Sequence, residues 1–242
     1  TAVAPNAELV AYSGFTSSNF FQLPSGQLGS HTSVNGPLTV SCWFKGTLNG
    51  SNAQSLIIIG PASQYQGRGL LVGHSGQLGW FRWDNDPYSS TVITDNKWHH
   101  CVGTLDSSST VKLYVDGELV YNQSVTLATS SSTQVRIGYS TGNNAPLANG
   151  SLALCKITND PADAEAIKKT YNDEKYLFRD NAKCTLYGTS NSVTALAYDD
   201  TKNILHAGTS SGRSEFRGLN RINNTTTAVT TAISASDGLV AE

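Results

Sequence analysis

Residues 95–120, "DNKWHHCVGTLDSSSTVKLYVDGELV", decide the fold. "KWHHCVGTL" and "TVKLYVDGELVYN" read as neighbouring strands, the second folding back on itself at Asp116-Gly117, a pair suited to a tight hairpin turn. The adjacent His99 and His100 with Cys101 invite a metal or nucleophile reading. On a strand, however, successive side chains point to opposite faces, so the two imidazoles cannot hold one metal together. His100 shares a face with Trp98 and Val102, and His99 shares one with Cys101. The stretch is expected to be scaffold.

Outward from it, strand signals continue in both directions. "LTVSCWFKG" (38–46) alternates Val40, Cys42 and Phe44 against Thr39, Ser41, Trp43 and Lys45. "SLIIIG" is a short apolar run of buried-strand type, and "GLLVGHSGQLGWFRW" reads as two strands joined at His74-Ser75-Gly76-Gln77. "TQVRIGYS" and "GSLALCKI" complete the set. Turn signals recur at nearly regular intervals, the rhythm of a sandwich rather than of βα units. One helix is expected in "NDPADAEAIKKTYNDEKY", with Asp160 as N-cap, Pro161 in the first turn, and an apolar stripe of Ala164, Ile167 and Tyr171.

Composition agrees with a β-rich domain: of 242 residues 14% are charged, Gly is 22 and Met is 0. A net charge of −2 gives no electrostatic footprint for nucleic acid. Residues 1–158 hold seven Lys/Arg against seven Asp/Glu, which suits a neutral ligand such as a sugar. No stretch approaches the roughly 20 apolar residues of a membrane span, and the start is not a signal peptide, so no membrane insertion is expected. A chain without Met is expected to be processed or a piece of something longer, and the ending "SASDGLVAE" favours the second. None of Cys42, Cys101, Cys155 and Cys184 has metal-ligand spacing; Cys42 and Cys101 read as small buried hydrophobes, and Cys155 and Cys184 flank the helix as a candidate pair.

After about residue 178 the character changes. "SVTALAYDDTKNILHAGTSSG" reads strand, turn, strand, like one hairpin of a propeller blade, and cannot bury its own face alone. The Thr/Ser/Ala-rich "NNTTTAVTTAISASDG" that follows lacks large apolar residues and is expected to order only against a partner. The expected division is therefore 1–178 for the sandwich and 179–242 for a C-terminal extension used in packing or assembly.

"LTVSCWFKG", "KWHHCVGTLDSSSTVKLYVDGELV", "VRIGYS" and "NGSLALCKITN" with its following helix together resemble the laminin-G-like, concanavalin-A-like jelly-roll family, which also holds pentraxin-like domains. The resemblance covers roughly residues 8–177. It implies an all-β fold: an antiparallel β-sandwich of two curved sheets with one short helix, followed here by a C-terminal β-hairpin extension. The ending "FRDNAKCTLYGTSNSVTALAYDDTKNILHAGTSSGRSEFRGLNRINN" is similar to the region after such lectin-like domains in tail-fibre or appendage proteins of bacterial viruses. That similarity implies a virion protein, assembled with other subunits as a homo-oligomer, a trimer if it forms a fibre.

The ligand site is sought in the loops, above all in "GWFRWDNDPYSS" (79–90). Trp80 and Trp83 fall on opposite strand faces, so only one belongs to the core. Trp83 and Tyr88 flank Asp84, Asn85 and Asp86, an aromatic and polar mixture suited to sugar rings and hydroxyls. Asp84 and Asp86 are also candidate Ca²⁺ ligands, although calcium needs about six to eight oxygens. Tyr65 in "GPASQYQGRG", and Tyr139 and Asn143 in "YSTGNNAPLANG", are secondary candidates. No glutamate belongs to the E-x-D-x-x-E pattern of jelly-roll glucanases, and no G-x-S-x-G elbow occurs. The sequence therefore predicts no enzyme, but a lectin-like module contacting host-surface glycans. A purely structural capsid or tail decoration is the first alternative, and a polysaccharide-cleaving enzyme the second.

Overall fold

The computed structural model describes residues 1–24, 26, 36–50, 52–129, 134–140, 145–180, 182, 185–218 and 220–242. They form two compact units, one of Ala11–Asn172 and one of Thr1–Val10 with Asp173–Glu242.

The Ala11–Asn172 unit carries, in chain order, β1 (Tyr12–Ser13), β2 (Phe21–Leu23), β3 (Leu38–Gly46), β4 (Gln54–Ile59), β5 (Arg68–Val72), β6 (Gln77–Trp80), β7 (Tyr88–Val92), β8 (His99–Leu105), β9 (Thr110–Val115), β10 (Glu118–Ser124), β11 (Val135–Ile137), β12 (Gly150–Thr158) and the helix α1 (Ala164–Glu174). The strands make two six-stranded antiparallel sheets, ordered β1-β12-β3-β8-β9-β10 and β2-β11-β4-β5-β6-β7. This is the expected jelly-roll sandwich with its short helix. Alternation places Val40, Cys42 and Phe44 of β3, Cys101 and Leu105 of β8, and Leu113 of β9 in one core with Leu70, Leu78 and Trp80 of the other sheet. Gly103 interrupts the apolar side of β8 because a β-carbon there would stand 2.8 Å from the Trp80 ring.

The opposite face of β3, β8 and β9 takes the helix. Ile167 packs against Val102 and Tyr114, and Tyr171 stacks on Trp43, ring centroids 5.8 Å apart, and on His100, 6.4 Å apart. Ala164 of the predicted stripe is exposed. The cap also differs from expectation: Asp163, not Asp160, accepts the free N–H of Ala166 at 2.7 Å. Asp160 is held elsewhere, since the Thr39 hydroxyl donates to its carbonyl at 2.6 Å and accepts from Ala162 N–H at 2.8 Å. Asp116 and Gly117, at φ 54° and 80°, form the tight turn expected between β9 and β10.

The second unit holds a 3-10 turn (Lys175–Phe178), strands β13 (Val193–Asp199), β14 (Ile204–Thr209), β15 (Gly212–Arg217) and β16 (Asn220–Asn224) in one antiparallel sheet in that order, and a ribbon of β17 (Ser234–Ser236) and β18 (Leu239–Ala241). The expected hairpin is β13–β14, and it is extended by two further strands. The Thr/Ser-rich tail lies on this sheet: Val229 is buried, its N–H donates to Thr209 O at 2.9 Å, and Gly208 leaves room for its side chain. Residues 1–10, placed by the sequence with the sandwich, lie in this unit. The candidate Cys155–Cys184 pair falls partly outside the described residues, because Cys184 is not among them.

Candidate functional site

Strand β6 ends at Trp80, and the chain runs through residues 81–87 before β7 begins at Tyr88. Trp80 is fully buried between the sheets. Trp83 is past the strand end, where strand alternation no longer applies, and packs half-buried on Phe81 with centroids 6.3 Å apart. Trp83, Asp84 and Asn85 have φ of 58°, 71° and 53°, three consecutive left-handed residues of which only Asn and Asp adopt that region readily. Such a conformation persists only where its surroundings fix it.

Arg82 supplies much of that fixation. It is 7% exposed; its Nε and Nη2 donate to Asn85 O at 2.9 and 2.7 Å, and Nη1 donates to Thr126 O at 2.9 Å. Its guanidinium carbon stands 4.9 Å over the Tyr65 ring. Tyr65, itself left-handed at φ 59°, donates its N–H to Trp83 O at 3.0 Å. Tyr65 thus supports the loop from behind. Asp86 folds inward and accepts the Arg82 N–H at 2.9 Å. Burial pushes the Asp86 carboxyl up, and the N–H groups of Arg82 and Trp83 oppose that rise.

The loop edges an open cleft of about 1020 Å³, whose lining includes Gln64, Trp83, Asp84, Asn85, Asp86 and Tyr88. Asp84 is exposed and accepts from Gln64 Nε2 at 2.7 Å. The Tyr88 ring lies on a glycine floor: a β-carbon at Gly79 would be 2.5 Å from its Cδ1, and one at Gly73 2.7 Å. Burial first, and then the nearby Asp86, push the Tyr88 phenol up to about 12, so it stays a hydrogen-bond donor in neutral water. The structure therefore brings five predicted residues, 83–86 and 88, around one cleft. It adds Gln64 and His74 to the lining and Arg82 beneath the loop, none of which the sequence pattern singles out. Tyr139 is not part of this lining and packs on Phe20, centroids 5.3 Å apart. Asn143 lies outside the described residues.

The donor set does not fit calcium. Asp86 is spent on the loop's own N–H groups, burial favours its neutral form, and no group of three His, Cys, Asp or Glu converges among the described residues.

The paired histidines divide as the strand period requires. His99 bridges Asp116 Oδ2 at 2.8 Å and Asp95 Oδ1 at 3.0 Å. The hydrogen bond to Asp116, assisted by Asp95, raises its pKa. His100 lies under the helix, where burial lowers its imidazole to about 4. Asp116 Oδ1 accepts the His100 N–H at 2.9 Å, tying the turn to β8. These groups tie the start of β8 to the β9–β10 turn.

Comparison with known proteins places this architecture. A family model described as the concanavalin A-like lectin/glucanases superfamily matches residues 15–168. No curated protein matches the chain. Trypanosoma rangeli sialidase is similar in structure at TM-score 0.52 and 15% identity, over 73% of this chain and 30% of the sialidase. The binding domain of botulinum neurotoxin DC, in complex with rat synaptotagmin II, is similar at TM-score 0.55 and 14% identity, over 88% of this chain and 56% of that one. A heptameric SAP-like pentraxin from Limulus polyphemus aligns at TM-score 0.48 and 13% identity, over 66% of this chain and 80% of the pentraxin. The chain thus spans less than a third of the length of the sialidases it matches. These matches correct the sequence-based exclusion of enzymes, because chains with this fold include sialidases, one a mutant displaying trans-sialidase activity. The missing E-x-D-x-x-E pattern speaks to one arrangement of carboxylates only, and a fold does not by itself decide chemistry.

Proposed function

Since the chain belongs to the concanavalin A-like lectin/glucanases superfamily, we propose that its sandwich is a lectin-like module that binds glycans in the cleft edged by residues 83–88. The observation that carries this reading is the company kept by Trp83 and Tyr88: two half-buried aromatic rings beside Asp84, Asn85 and Gln64 on one open concavity. Aromatic faces cover the apolar side of a sugar ring while carboxylate and amide groups take its hydroxyls. The cleft has room for more than a single ring.

The glycans of this reading belong to a host surface, and the module is carried on a virion, a homotrimer joined through the C-terminal unit. Support comes from the tail-fibre resemblance of the C-terminal sequence and from that unit's surface. Leu196 and Tyr198 on the edge strand β13 are 60% and 56% exposed, apolar area of the kind that subunit contacts cover. A glycan array probed with the intact chain and with Trp83→Ala tests the binding, and sedimentation tests the assembly. Wild type should bind and Trp83→Ala should lose about tenfold or more in affinity. Absence of wild-type binding across the array would remove the lectin reading, and a monomer at micromolar concentration would remove the trimer.

A further inference from the structure

The cleft carries a charge signature that bears on which sugars it accepts. Asp84 and Asp86 both line it, and its described lining holds no Lys or Arg, with His74, edge-on to the Tyr88 ring, as its basic side chain. The nearest guanidinium, Arg82, is buried beneath the loop with its donors committed to the carbonyls of Asn85 and Thr126. It offsets part of the carboxylate charge and presents no N–H to a ligand. Asp86 faces the loop's own amides. Asp84 is therefore the carboxylate offered to solvent, with Gln64 engaging one of its oxygens.

The aromatic groups act in the same direction. Trp83 and Tyr88 flank these carboxylates, and the face of an aromatic ring carries negative charge that attracts a cation and repels an anion. Two independent features, the exposed Asp84 carboxylate and the rings, thus favour positive charge in the same cleft.

We propose that this cleft is selective for amino sugars in their cationic form and rejects acidic sugars, with Asp84 as the specificity-determining residue. The inference rests on the reading of the cleft as a glycan site.

The test uses the intact chain and three sugars of one ring configuration that differ in charge: glucosamine, N-acetylglucosamine and glucuronic acid, each as the methyl glycoside, with a parallel galacto series. Affinities are measured by calorimetry or saturation-transfer NMR in low salt, at a pH where the glucosamine nitrogen remains protonated. Glucosamine should bind about tenfold or more tightly than glucuronic acid, with the neutral sugar between them. Asp84→Asn should bring the charged pair to within about twofold, and so should raising the salt to about 0.5 M, where exposed charges are screened. Tryptophan fluorescence confirms that the variant is folded. Equal or tighter binding of glucuronic acid overturns the charge selection while leaving a glycan site in place. Persistence of the glucosamine preference in Asp84→Asn overturns the role of that residue. Failure of every sugar in both series removes the glycan reading and this inference with it.

Discussion

Replacing Arg82 with Met keeps most of the stem's volume and removes the fork that holds the left-handed loop. Three charge-assisted hydrogen bonds are lost, to Asn85 O twice and to Thr126 O once, together with the stacking over Tyr65. Asn85 and Thr126 are both exposed, so their carbonyls regain water when the guanidinium goes. The net value per bond then falls toward about 1 kcal/mol rather than the 1.5–3 kcal/mol of a fully buried charged bond. Stacking adds about 0.5–1 kcal/mol, giving a loss of about 3.5–4 kcal/mol in all. All four tryptophans, Trp43, Trp80, Trp83 and Trp98, lie in the Ala11–Asn172 unit, so their fluorescence in urea follows that unit alone. For a slope of about 2 kcal/mol per molar urea, the midpoint should fall by about 1.8–2 M. Arg82→Lys keeps the charge without the planar fork and should recover less than half of the loss. A midpoint shift below about 0.5 M in Arg82→Met would refute the reasoning, because the loop would then hold its conformation without the guanidinium.

Two further outcomes follow from the other face of the sandwich. Burial lowers the His100 imidazole to about 4, so between the ordinary histidine value near 6.5 and that value the unfolded chain binds a proton that the folded chain does not. Stability contributed by neutral His100 is thus present above about pH 6.5 and is lost as pH falls toward 4, by about 3 kcal/mol over the window. His100→Phe keeps a ring between Trp43 and Tyr171, so its urea midpoint should fall less than that of wild type from pH 7 to pH 4. Parallel falls would show that other groups carry the acid sensitivity. Asp163→Ala should cost about 1 kcal/mol by removing the cap of α1, read by the same fluorescence; an equal loss in Asp160→Ala and none in Asp163→Ala would reverse the assignment of the cap.

What the sequence shows and what it hides differ in a physical way. The sandwich is legible because the period of two in β3, β8 and β9 separates the side chains that meet the other sheet from those that lie under the helix, both sets largely buried, and Asp116-Gly117 records a backbone geometry that few residue pairs adopt. The helix is legible in its position, but not in its cap, because two aspartates compete and the choice is made by Thr39, 121 residues away from Asp160 in sequence. The same limit governs the site. Five of the six residues of "WDNDPY" line it and stand together in the sequence, whereas Gln64 joins them and Arg82 braces them only through contacts that the loop creates.

Assigning Trp80 and Trp83 to opposite faces assumed that β6 continues, yet the strand stops at Trp80 and three left-handed residues follow within the next five. The run "DND" contained the warning, since Asn and Asp tolerate positive φ and favour turns over strand interiors. Once the chain leaves the sheet there, Trp83 no longer competes with Trp80 for the core. It is released to the rim of the cleft, and the buried Arg82 holds it there by fixing the carbonyl of Asn85. The aromatic ring on which the ligand reading depends therefore owes its position to the buried Arg82, whereas the solvent-facing Asp84 lies two residues further along the same loop, and the Arg82 and Asp84 substitutions separate those two roles: the first should unsettle the loop and the second should alter only what the cleft selects.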